Sequence, residues 1–336
     1  MSSPSRTARG RTVGLVGATG LVGQALLEVM RARRFPVADL RLWASSRSRG
    51  RRIRFGGRTY AVQALDRPDF AGCDIVFFAG TEGEKGASVR FAAEAVRCGA
   101  VVIDNGADYR MDPAVPLVVP EVNPCDVYWH KGIIANPNCS TIQMVVALAP
   151  VYREFGLTRI VVATYQSVSG AGRGGPAALE REARTGRYRA KDAVFPRPIA
   201  ANVIPQIAAF GDRGYTGEEW KMVRETQKIL HDAAVAVNAT TVRVPVAAGH
   251  SESVYFETKR PAELRQIERL LQRASGIVYA NDSYHTPLEI AGRDEVFVSR
   301  LRPDPADPRA FVMWVVADNL RKGAATNAVQ IAEQLL

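Results

Sequence analysis

The feature that most constrains the fold is a glycine-rich turn between a short apolar strand and an amphipathic helix near the start of the chain. Residues 12–17, TVGLVG, predict a buried strand, and GATGLVGQALLEVMRAR then switches to a helical period. Gly17, Gly20 and Gly23 lie in this turn. In a strand-turn-helix setting, such glycines bring the backbone against a pyrophosphate at the helix N-terminus. The spacing is G-x-x-G-x-x-G rather than G-x-G-x-x-G, so it is the setting that predicts nucleotide binding.

Strands and helices continue to alternate after this turn. LRLWAS (40–45), CDIVFFAG (73–80) and AVVIDN (100–105) predict strands, and GASVRFAAEAVRCG predicts a helix between the last two. Such alternation predicts a parallel sheet with helices on both faces. Residues 11–138 are therefore predicted to form a Rossmann-type α/β domain that binds a dinucleotide.

Beyond this domain, the pattern changes to strands joined by hairpins and irregular connections. The predicted strands lie at 159–170, 240–246, 253–259, 295–302 and 310–318. PDPADPR, between the last two, is a tight polar loop of the kind that joins antiparallel neighbours. We predict an α+β substrate domain with a mixed sheet over 139–318, and an amphipathic C-terminal helix within 319–336 that packs back on the first domain.

The end of the second predicted strand indicates which dinucleotide is bound. NAD enzymes usually carry an Asp or Glu about twenty residues after the turn, where it holds the ribose 2′-hydroxyl. Here the strand ends in Ser45, Ser46, Arg47 and Ser48, with no acid. Hydroxyls and a guanidinium suit a 2′-phosphate, which a carboxylate would repel. The sequence therefore favours NADP(H).

Composition argues against several other classes of protein. No run approaches the ~18 apolar residues of a membrane span, and the basic N-terminal tail lacks the apolar core of a secretory signal. The four cysteines lie far apart without a C-x-x-C pair, which argues against a disulfide framework and a metal site. The net charge of +10 and the arginines of 47–58 lack the aromatic interleaving of nucleic-acid binders, so they better match anionic small molecules. We expect a cytoplasmic protein with no membrane or nucleic-acid partner.

Cys139 stands between a proline turn and an apolar helical run, in ANPNCSTIQMVVAL. A buried cysteine is most often a small apolar filler. At a helix start, however, first-turn N–H groups and the helix dipole stabilise a thiolate, and the same groups can hold an oxyanion. A nucleotide domain followed by such a cysteine predicts a dehydrogenase that forms a thioester. His250, after Gly249 and between two strands, is the candidate acid or base.

A set of motifs in one order resembles the aspartate-semialdehyde dehydrogenase family. They are GATGLVG, VVPEVN, NPNCST, TYQSVSGAG, NVIPQI, EEWKMVRET, VRVPVAAGHSE and DNLRKGAATNAVQIAE. The resemblance implies NADPH-dependent reductive dephosphorylation of 4-phospho-L-aspartate to L-aspartate 4-semialdehyde, a step toward lysine, threonine and methionine. It also implies a thioester intermediate, release of phosphate, and a homodimer or homotetramer formed by the catalytic domain 139–318.

The resemblance further implies roles for individual residues. Cys139 would be the nucleophile and His250 the acid/base, with Gln166 orienting the pair. Implied substrate contacts are Arg243 for the α-carboxylate, Lys221, Arg110 and Asn138 for the phosphate, and Glu218, or its neighbour Glu219, for the amine. Implied cofactor contacts are Gly17, Thr19, Gly20, Leu21, Val22, Gly23, Ser45, Arg47, Ser48, Ser169, Gly170 and Asn319.

One stretch departs from the family pattern, and two rival functions stay open. FFAGTEGEKG (77–86) replaces a usually serine- and glycine-rich strand end, and its Glu82 is acidic close to where cofactor phosphates should pass. No cofactor contact is assigned to that stretch. The rivals are an acyl-CoA reductase on the same scaffold and a non-catalytic paralogue; retention of Cys139 and His250 weighs against the second.

Overall fold

The computed structural model describes residues 10–80 and 86–336, so Glu82 lies outside the described residues. Its strands are β1 (Arg11–Val16), β2 (Val37–Ala44), β3 (Arg52–Phe55), β4 (Arg58–Ala64), β5 (Ile75–Phe78), β6 (Val101–Asp104), β7 (Ile133–Ala135), β8 (Leu157–Gln166), β9 (Ala236–Arg243), β10 (His250–Thr258), β11 (Ile277–Ala280), β12 (Val296–Pro303) and β13 (Ala310–Ala317). Its α-helices are α1 (Leu21–Ala32), α2 (Ala87–Arg97), α3 (Cys139–Phe155), α4 (Gly174–Thr185), α5 (Gly217–Leu230), α6 (Leu264–Arg273), α7 (Pro287–Ile290) and α8 (Asn327–Glu333).

By its internal contacts, the chain divides into two compact units. The first unit comprises the residues up to Val118, Pro124–Asn136 and Asn327–Leu336. The second comprises Val119–Asn123 and Pro137–Thr326. Both units are therefore built from segments that are discontinuous in sequence.

The first unit contains a seven-stranded sheet in the order β3-β4-β2-β1-β5-β6-β7, in which all pairs but β3–β4 are parallel. Every residue of β5 is buried, as expected for a parallel strand covered on both faces. The strand order reverses at β1, and the glycine turn follows β1 directly. In open α/β sheets, ligands bind outside the carboxyl ends of the strands at such a switch point. The predicted Rossmann-type sheet is confirmed.

The arginine-rich stretch 47–58 forms part of an edge hairpin that the sequence analysis did not predict. β3 pairs antiparallel with β4, and the turn between them is Gly56–Gly57 with φ of +54° and +81°. Two successive residues with positive φ are typical of the tight hairpin turn that matches strand twist. Arginines on a sheet edge also oppose pairing with another chain. A structural role therefore accounts for much of this charge cluster.

The last helix of the chain belongs to the first unit. Asn327, at the start of α8, donates from Nδ2 to Val118 O (2.9 Å) and to Asn136 Oδ1 (2.7 Å). Near its end, Glu333 accepts two hydrogen bonds from the Arg33 guanidinium, at 2.8 and 2.6 Å. A π-helical turn, Arg321–Thr326, directly precedes α8, so the predicted helix within 319–336 has two parts.

The second unit contains a six-stranded mixed sheet in the order β11-β12-β13-β10-β8-β9. β8–β9 and β11–β12 are parallel, whereas β12–β13, β10–β13 and β10–β8 are antiparallel. The predicted mixed sheet and the β12–β13 hairpin are confirmed. Helices α3, α5 and α6 contact this sheet, while Val161 and Tyr165 of β8 are exposed.

Two negative findings concern the described part of the chain. None of its helices is both long and apolar enough to cross a membrane. No group of three or more His, Cys, Asp or Glu side chains within residues 10–80 and 86–336 is arranged to hold a metal ion.

Candidate active site

Cys139 is the first residue of α3, where the sequence predicts it, and its side chain is half-buried. Asn138 is the N-cap residue, and its Oδ1 accepts hydrogen bonds from Ser140 N (3.0 Å) and Thr141 N (3.3 Å). This is the usual way in which Asn satisfies the free N–H groups of a first turn. These two N–H groups were candidates for holding an oxyanion. Because the cap already engages them, that expectation is wrong for this pair.

Asn138 also connects the start of α3 to α5. Its backbone N–H donates to Glu225 Oε2 at 2.6 Å, and its Nδ2 donates to Glu218 Oε1 at 2.8 Å. Glu225 is 1% exposed. The sequence analysis did not single out Glu225, because an acid in a helix carries no sign of a partner 87 residues away. Cys139, the predicted nucleophile, thus lies at a helix start that two carboxylates anchor.

The two neighbouring acids of α5 have different tasks. Glu219 forms a capping box with Thr216: its Oε2 accepts from Thr216 N (2.7 Å) and its N–H donates to Thr216 Oγ1 (3.4 Å). Its Oε1 also accepts from Thr241 N at 3.0 Å. Glu218 instead accepts from Asn138 and Gln166 and lies 3.6 Å from Lys221 Nζ. The Glu219 carboxylate is therefore engaged by backbone N–H groups, whereas the Glu218 carboxylate contacts the other candidate site residues.

Glu218 is held as a carboxylate despite its burial. Desolvation alone would raise its pKa, but the Lys221 charge, the Asn138 hydrogen bond, the Arg243 charge and the Gln166 hydrogen bond together bring the pKa below its usual value. A buried carboxylate with cations beside it keeps its negative charge. The site therefore offers an anion suited to a substrate ammonium group.

Arg243, the last residue of β9, is 6% exposed. Its Nη1 donates to Ser167 O at 2.7 Å, while its Nε lacks a hydrogen-bond partner within the described chain. Burial lowers the pKa of Arg243, opposed by the nearby Glu218 and Cys139. A buried, unsatisfied guanidinium N–H is costly unless it meets an acceptor, and a carboxylate fits its geometry.

His250, the first residue of β10, is fully buried. Its Nδ1 accepts a hydrogen bond from Ser167 N (3.0 Å) and lies 3.1 Å from Ser167 Oγ. Its Nε2 is buried and makes no hydrogen bond to any residue that the structure describes. Burial and then the Arg243 charge lower the pKa of His250 to about 3. The imidazole is therefore neutral at physiological pH.

Gln166 and Gly170 border the same part of the second unit. Gln166 Nε2 donates to Glu218 Oε1 and to Thr164 Oγ1, both at 3.3 Å, so its amide helps to orient the Glu218 carboxylate. A Cβ on Gly170 would lie 2.7 Å from Arg243 Nη1 and 3.5 Å from His250 Nε2. Glycine at this position therefore leaves open the space that these two side chains border.

Asn319 and Ser169, both predicted near the cofactor, belong to a hydrogen-bond network behind His250. Asn319 Oδ1 accepts from Ser167 Oγ (3.1 Å), Ser169 Oγ (3.1 Å) and Gly249 N (2.9 Å). These hydrogen bonds hold Ser167, which contacts the imidazole, and Gly249, which precedes His250 in sequence. Ser167 was not among the predicted site residues.

Gly323 is a third residue that the sequence analysis missed. It lies in the π-helical turn, and a Cβ there would stand 2.8 Å from Cys139 Cβ. The adjacent Lys322 is buried and its Nζ contacts Glu121 Oε2 at 2.7 Å. π-helical turns frequently mark functional sites. The sequence did contain one indication of its role, since a glycine inside a helical pattern lowers helix stability and usually has a packing or functional reason.

Glu252 is a buried acid on the same strand and the same buried face as His250. Neither of its carboxyl oxygens has a hydrogen-bond partner among the described residues, and burial raises its pKa well above the usual value. Gln143 lies beside it, and Gln143 Nε2 donates to His250 O at 3.4 Å. Burial therefore favours the neutral form of the Glu252 carboxyl group.

The predicted dinucleotide contacts lie in the first unit. Gly17 has a φ of +86°, and a Cβ on Gly23 would collide with Gly17 O, so both positions require glycine. Gly20 precedes α1 and offers no capping side chain, and the first turn of that helix contains no acid. This helix start, unlike that of α3, leaves its N–H groups for an anion.

The two sides of the predicted cofactor site meet at Thr19 and Ser48, whose hydroxyl oxygens are 3.1 Å apart. Arg47 is exposed in the same short 3₁₀ turn, Ser46–Ser48, after β2. These residues fit the phosphate groups of a dinucleotide. Arg110, also in the first unit, is buried and donates from Nε to Asn136 O and from Nη2 to Asn105 O, both at 2.9 Å.

Both parts of the chain match known protein families. Residues 12–129 match the family model "Semialdehyde dehydrogenase, NAD binding domain", and residues 148–322 match "Semialdehyde dehydrogenase, dimerisation domain". The chain is 49% identical over 338 residues to the aspartate-semialdehyde dehydrogenase of Aquifex aeolicus, covering 97% of this chain and 98% of that protein.

Solved structures of the same enzyme family also resemble this chain in fold. The aspartate semialdehyde dehydrogenase II of Vibrio cholerae, complexed with ASA, superposes with a TM-score of 0.94 at 47% identity, covering 98% of each chain. The Candida albicans enzyme with NADP superposes with a TM-score of 0.73 at 25% identity, covering 97% of this chain and 98% of that one.

Proposed function

The chain belongs to the aspartate-semialdehyde dehydrogenase family, and from this we propose that it reduces 4-phospho-L-aspartate to L-aspartate 4-semialdehyde with NADPH. The observation that carries the proposal is the pairing of Arg243 and Glu218. A buried cation with an unsatisfied N–H and a buried carboxylate, both close to the nucleophile, suit the α-carboxylate and α-ammonium groups of an amino acid.

The proposed reaction begins with attack by the Cys139 thiolate on the acyl carbon. The bond to the phosphate oxygen breaks, phosphate leaves with the electron pair, and a thioester forms on Cys139. Bound NADPH would supply a hydride, whose addition to the thioester carbonyl gives a hemithioacetal alkoxide on Cys139. Collapse of the hemithioacetal frees Cys139 and releases the aldehyde. Lys221, Arg110 and Asn138 are proposed to hold the phosphate.

We propose NADP(H) as the cofactor, bound to the first unit. The uncapped start of α1 would receive the pyrophosphate, and Ser45, Arg47 and Ser48 would receive the 2′-phosphate. Ser169 and Gly170 are proposed to lie near the nicotinamide, and Asn319 near the other side of the cofactor. The absence of an acid after β2 supports this choice, because a carboxylate there would repel the phosphate.

We propose a homodimer in which the exposed face of the second unit's sheet meets its copy. Val161 is 40% and Tyr165 is 39% exposed on this face, and Tyr165 packs against Trp314 with ring centroids 5.6 Å apart. Apolar and aromatic side chains exposed on one face of a sheet are typical of oligomer interfaces. We also propose that the protein works in the cytoplasm, where a catalytic thiol stays reduced.

The decisive experiment follows NADPH formation in the reverse direction, from L-aspartate 4-semialdehyde and NADP⁺. Turnover is expected to require orthophosphate, and coenzyme A is expected not to replace it. Cys139→Ala should abolish turnover but retain NADPH binding, whereas Cys125→Ala, at an exposed cysteine, should leave turnover unchanged. Turnover with coenzyme A but not phosphate would favour the acyl-CoA reductase, and no turnover with either would favour the non-catalytic paralogue.

A further inference from the structure

Arg110 is a buried arginine that backbone carbonyls hold at the ends of two parallel strands. Its Nε donates to Asn136 O and its Nη2 donates to Asn105 O, both at 2.9 Å. Asn105 directly follows β6 and Asn136 directly follows β7, and these two strands pair with each other. The side chain of Arg110 is 5% exposed. Because carbonyl groups are neutral, these two bonds orient the guanidinium without cancelling its charge.

The two residues that hold Arg110 are also joined to each other by their side chains. Asn136 Nδ2 donates to Asn105 Oδ1 at 3.0 Å. Asn105 Nδ2 donates in turn to the carbonyl oxygen of Phe78, the last residue of β5, at 3.0 Å. The two carbonyls that Arg110 contacts therefore cannot move apart without breaking a side-chain hydrogen bond between them.

Asn327, at the start of α8, extends this connection to the last helix. Its Nδ2 donates to Asn136 Oδ1 at 2.7 Å and to Val118 O at 2.9 Å, and its side chain is fully buried. A carbonyl can only accept, so Val118 O at one end and Phe78 O at the other fix the orientation of all three amides. Asn327, Asn136 and Asn105 thus form an amide chain that runs in one direction from α8 to β5.

We propose that the amide chain is a set of positioning residues that hold Arg110 in the orientation in which it binds the phosphate group. The inference rests on the proposed function, in which Arg110 holds that phosphate. A guanidinium binds phosphate through N–H groups in fixed directions, and an arginine that is already ordered loses less rotamer entropy on binding. The helix α8 therefore contributes to the affinity for phosphate, although none of its residues is proposed to contact the ligand.

The first test measures the KM for orthophosphate in the reverse reaction, from L-aspartate 4-semialdehyde and NADP⁺. Arg110→Ala removes a charge-assisted contact with phosphate, so it should raise this KM by about 10- to 150-fold. Asn327→Ala keeps the guanidinium but removes part of its support, so it should raise the same KM by about 3- to 10-fold. The KM for the semialdehyde should change by less than about twofold in Asn327→Ala, because the amide chain does not hold the residues proposed to bind the amino-acid groups. Asn105→Ala, at a half-buried position, carries the same expectation if Asn327→Ala does not fold.

Glu333→Ala is the matched control, because it loosens the other end of α8. Glu333 accepts hydrogen bonds from the Arg33 guanidinium at 2.8 and 2.6 Å, and these two bonds do not involve the amide chain. The KM of Glu333→Ala for orthophosphate should therefore stay within about twofold of the wild-type value. If Glu333→Ala raised this KM as much as Asn327→Ala, general docking of α8 would account for the effect, and the proposal would be wrong.

A double variant decides whether Asn327 acts through Arg110. In the Arg110→Ala background, adding Asn327→Ala should change the KM for orthophosphate by less than about twofold, because the side chain that it supports is gone. A further rise of about 3- to 10-fold would show an independent effect and overturn the proposal.

Two other outcomes separate the inference from the proposed function. If the wild-type protein requires orthophosphate but Arg110→Ala, or the asparagine variants, leave its KM unchanged, the positioning role is refuted and the proposed reaction stands. If the wild-type protein shows no phosphate-dependent turnover, the proposed function is refuted and the inference falls with it.

Discussion

Replacing Gly323 by alanine should displace the nucleophile without removing it. The new Cβ would stand 2.8 Å from Cys139 Cβ and 3.3 Å from Cys139 Cα. Carbon atoms in good contact are about 3.5–4.0 Å apart, so one side has to move by roughly 1 Å. Neither neighbour is the end of a flexible side chain. The displacement therefore falls on the backbone that carries the thiol.

The Gly323 side of this contact is anchored. Lys322, beside the glycine, is buried against Glu121 at 2.7 Å, and Arg321 contacts Asp294 at 2.7 Å. Breaking a buried ion pair costs about 3–5 kcal/mol, more than the about 1–3 kcal/mol of a tolerated overpacking. The buried Lys322–Glu121 pair should therefore survive, and Cys139 should shift. A misplacement of ~1 Å at a reacting group can cost about 100-fold in rate.

The expected result is a folded Gly323→Ala protein whose kcat/KM in the phosphate-dependent assay falls by about 100-fold. Urea unfolding should show a loss of roughly 0–2.5 kcal/mol, because alanine is about 0.5–1 kcal/mol better than glycine in a helix. Gly217→Ala is the control, since its Cβ would meet Ala208 Cβ at an ordinary 3.4 Å. A kcat/KM for Gly323→Ala within threefold of that control would refute the reasoning.

Four further outcomes are expected. Because the pKa of Glu252 is raised in the folded protein, its contribution to stability is complete below the unfolded pKa near 4.5 and decreases as the pH rises. The free energy of unfolding in urea should therefore fall by up to about 1.4 kcal/mol per pH unit, and Glu252→Gln should remove this fall. The lowered pKa of His250 acts oppositely: stability is lost as pH falls from about 6.5 toward 3, and this slope should disappear in His250→Gln. Arg47→Ala should weaken NADPH binding by about 10- to 150-fold, as measured by titration calorimetry, with NADH binding nearly unchanged; equal losses would assign Arg47 elsewhere. Arg243→Lys should keep NADPH affinity but lose about 100-fold in kcat/KM for the semialdehyde, because an ammonium cannot reproduce the planar fork; near-normal kcat/KM would remove the carboxylate role.

The sequence was informative where local pattern and long-range structure agree. The buried parallel strands of the first unit read as continuous apolar runs, and the glycine turn after β1 marks the switch point of the sheet. Cys139 was placed at a helix start by the proline turn before it. Asn138 immediately before that helix was also a readable cap signal, and it would have shown that the first-turn N–H groups are engaged.

Residues whose roles depend on distant partners could not be predicted in this way. Glu225 bonds Asn138 from 87 positions away, and Ser167 reaches His250 across 83. The β3–β4 hairpin was missed because its alternation is between arginine and other residues, which reads as a charge cluster instead of a strand. Gly323 lies in a π-helical turn, and no hydrophobic periodicity in a sequence predicts such a turn.

The position of α8 has a consequence for how the chain is made. Asn327 completes hydrogen bonds to Val118 and Asn136, and the contact with Asn136 spans 191 positions. At ~5–20 residues per second, a ribosome needs about 10–40 s to synthesise that interval. Most of the first unit emerges first, but it lacks α8 until nearly the whole second unit has been translated. A nascent chain stalled before Asn327 should expose the apolar surface that α8 covers, and a chaperone that binds such surfaces would find its target on the older half of the protein.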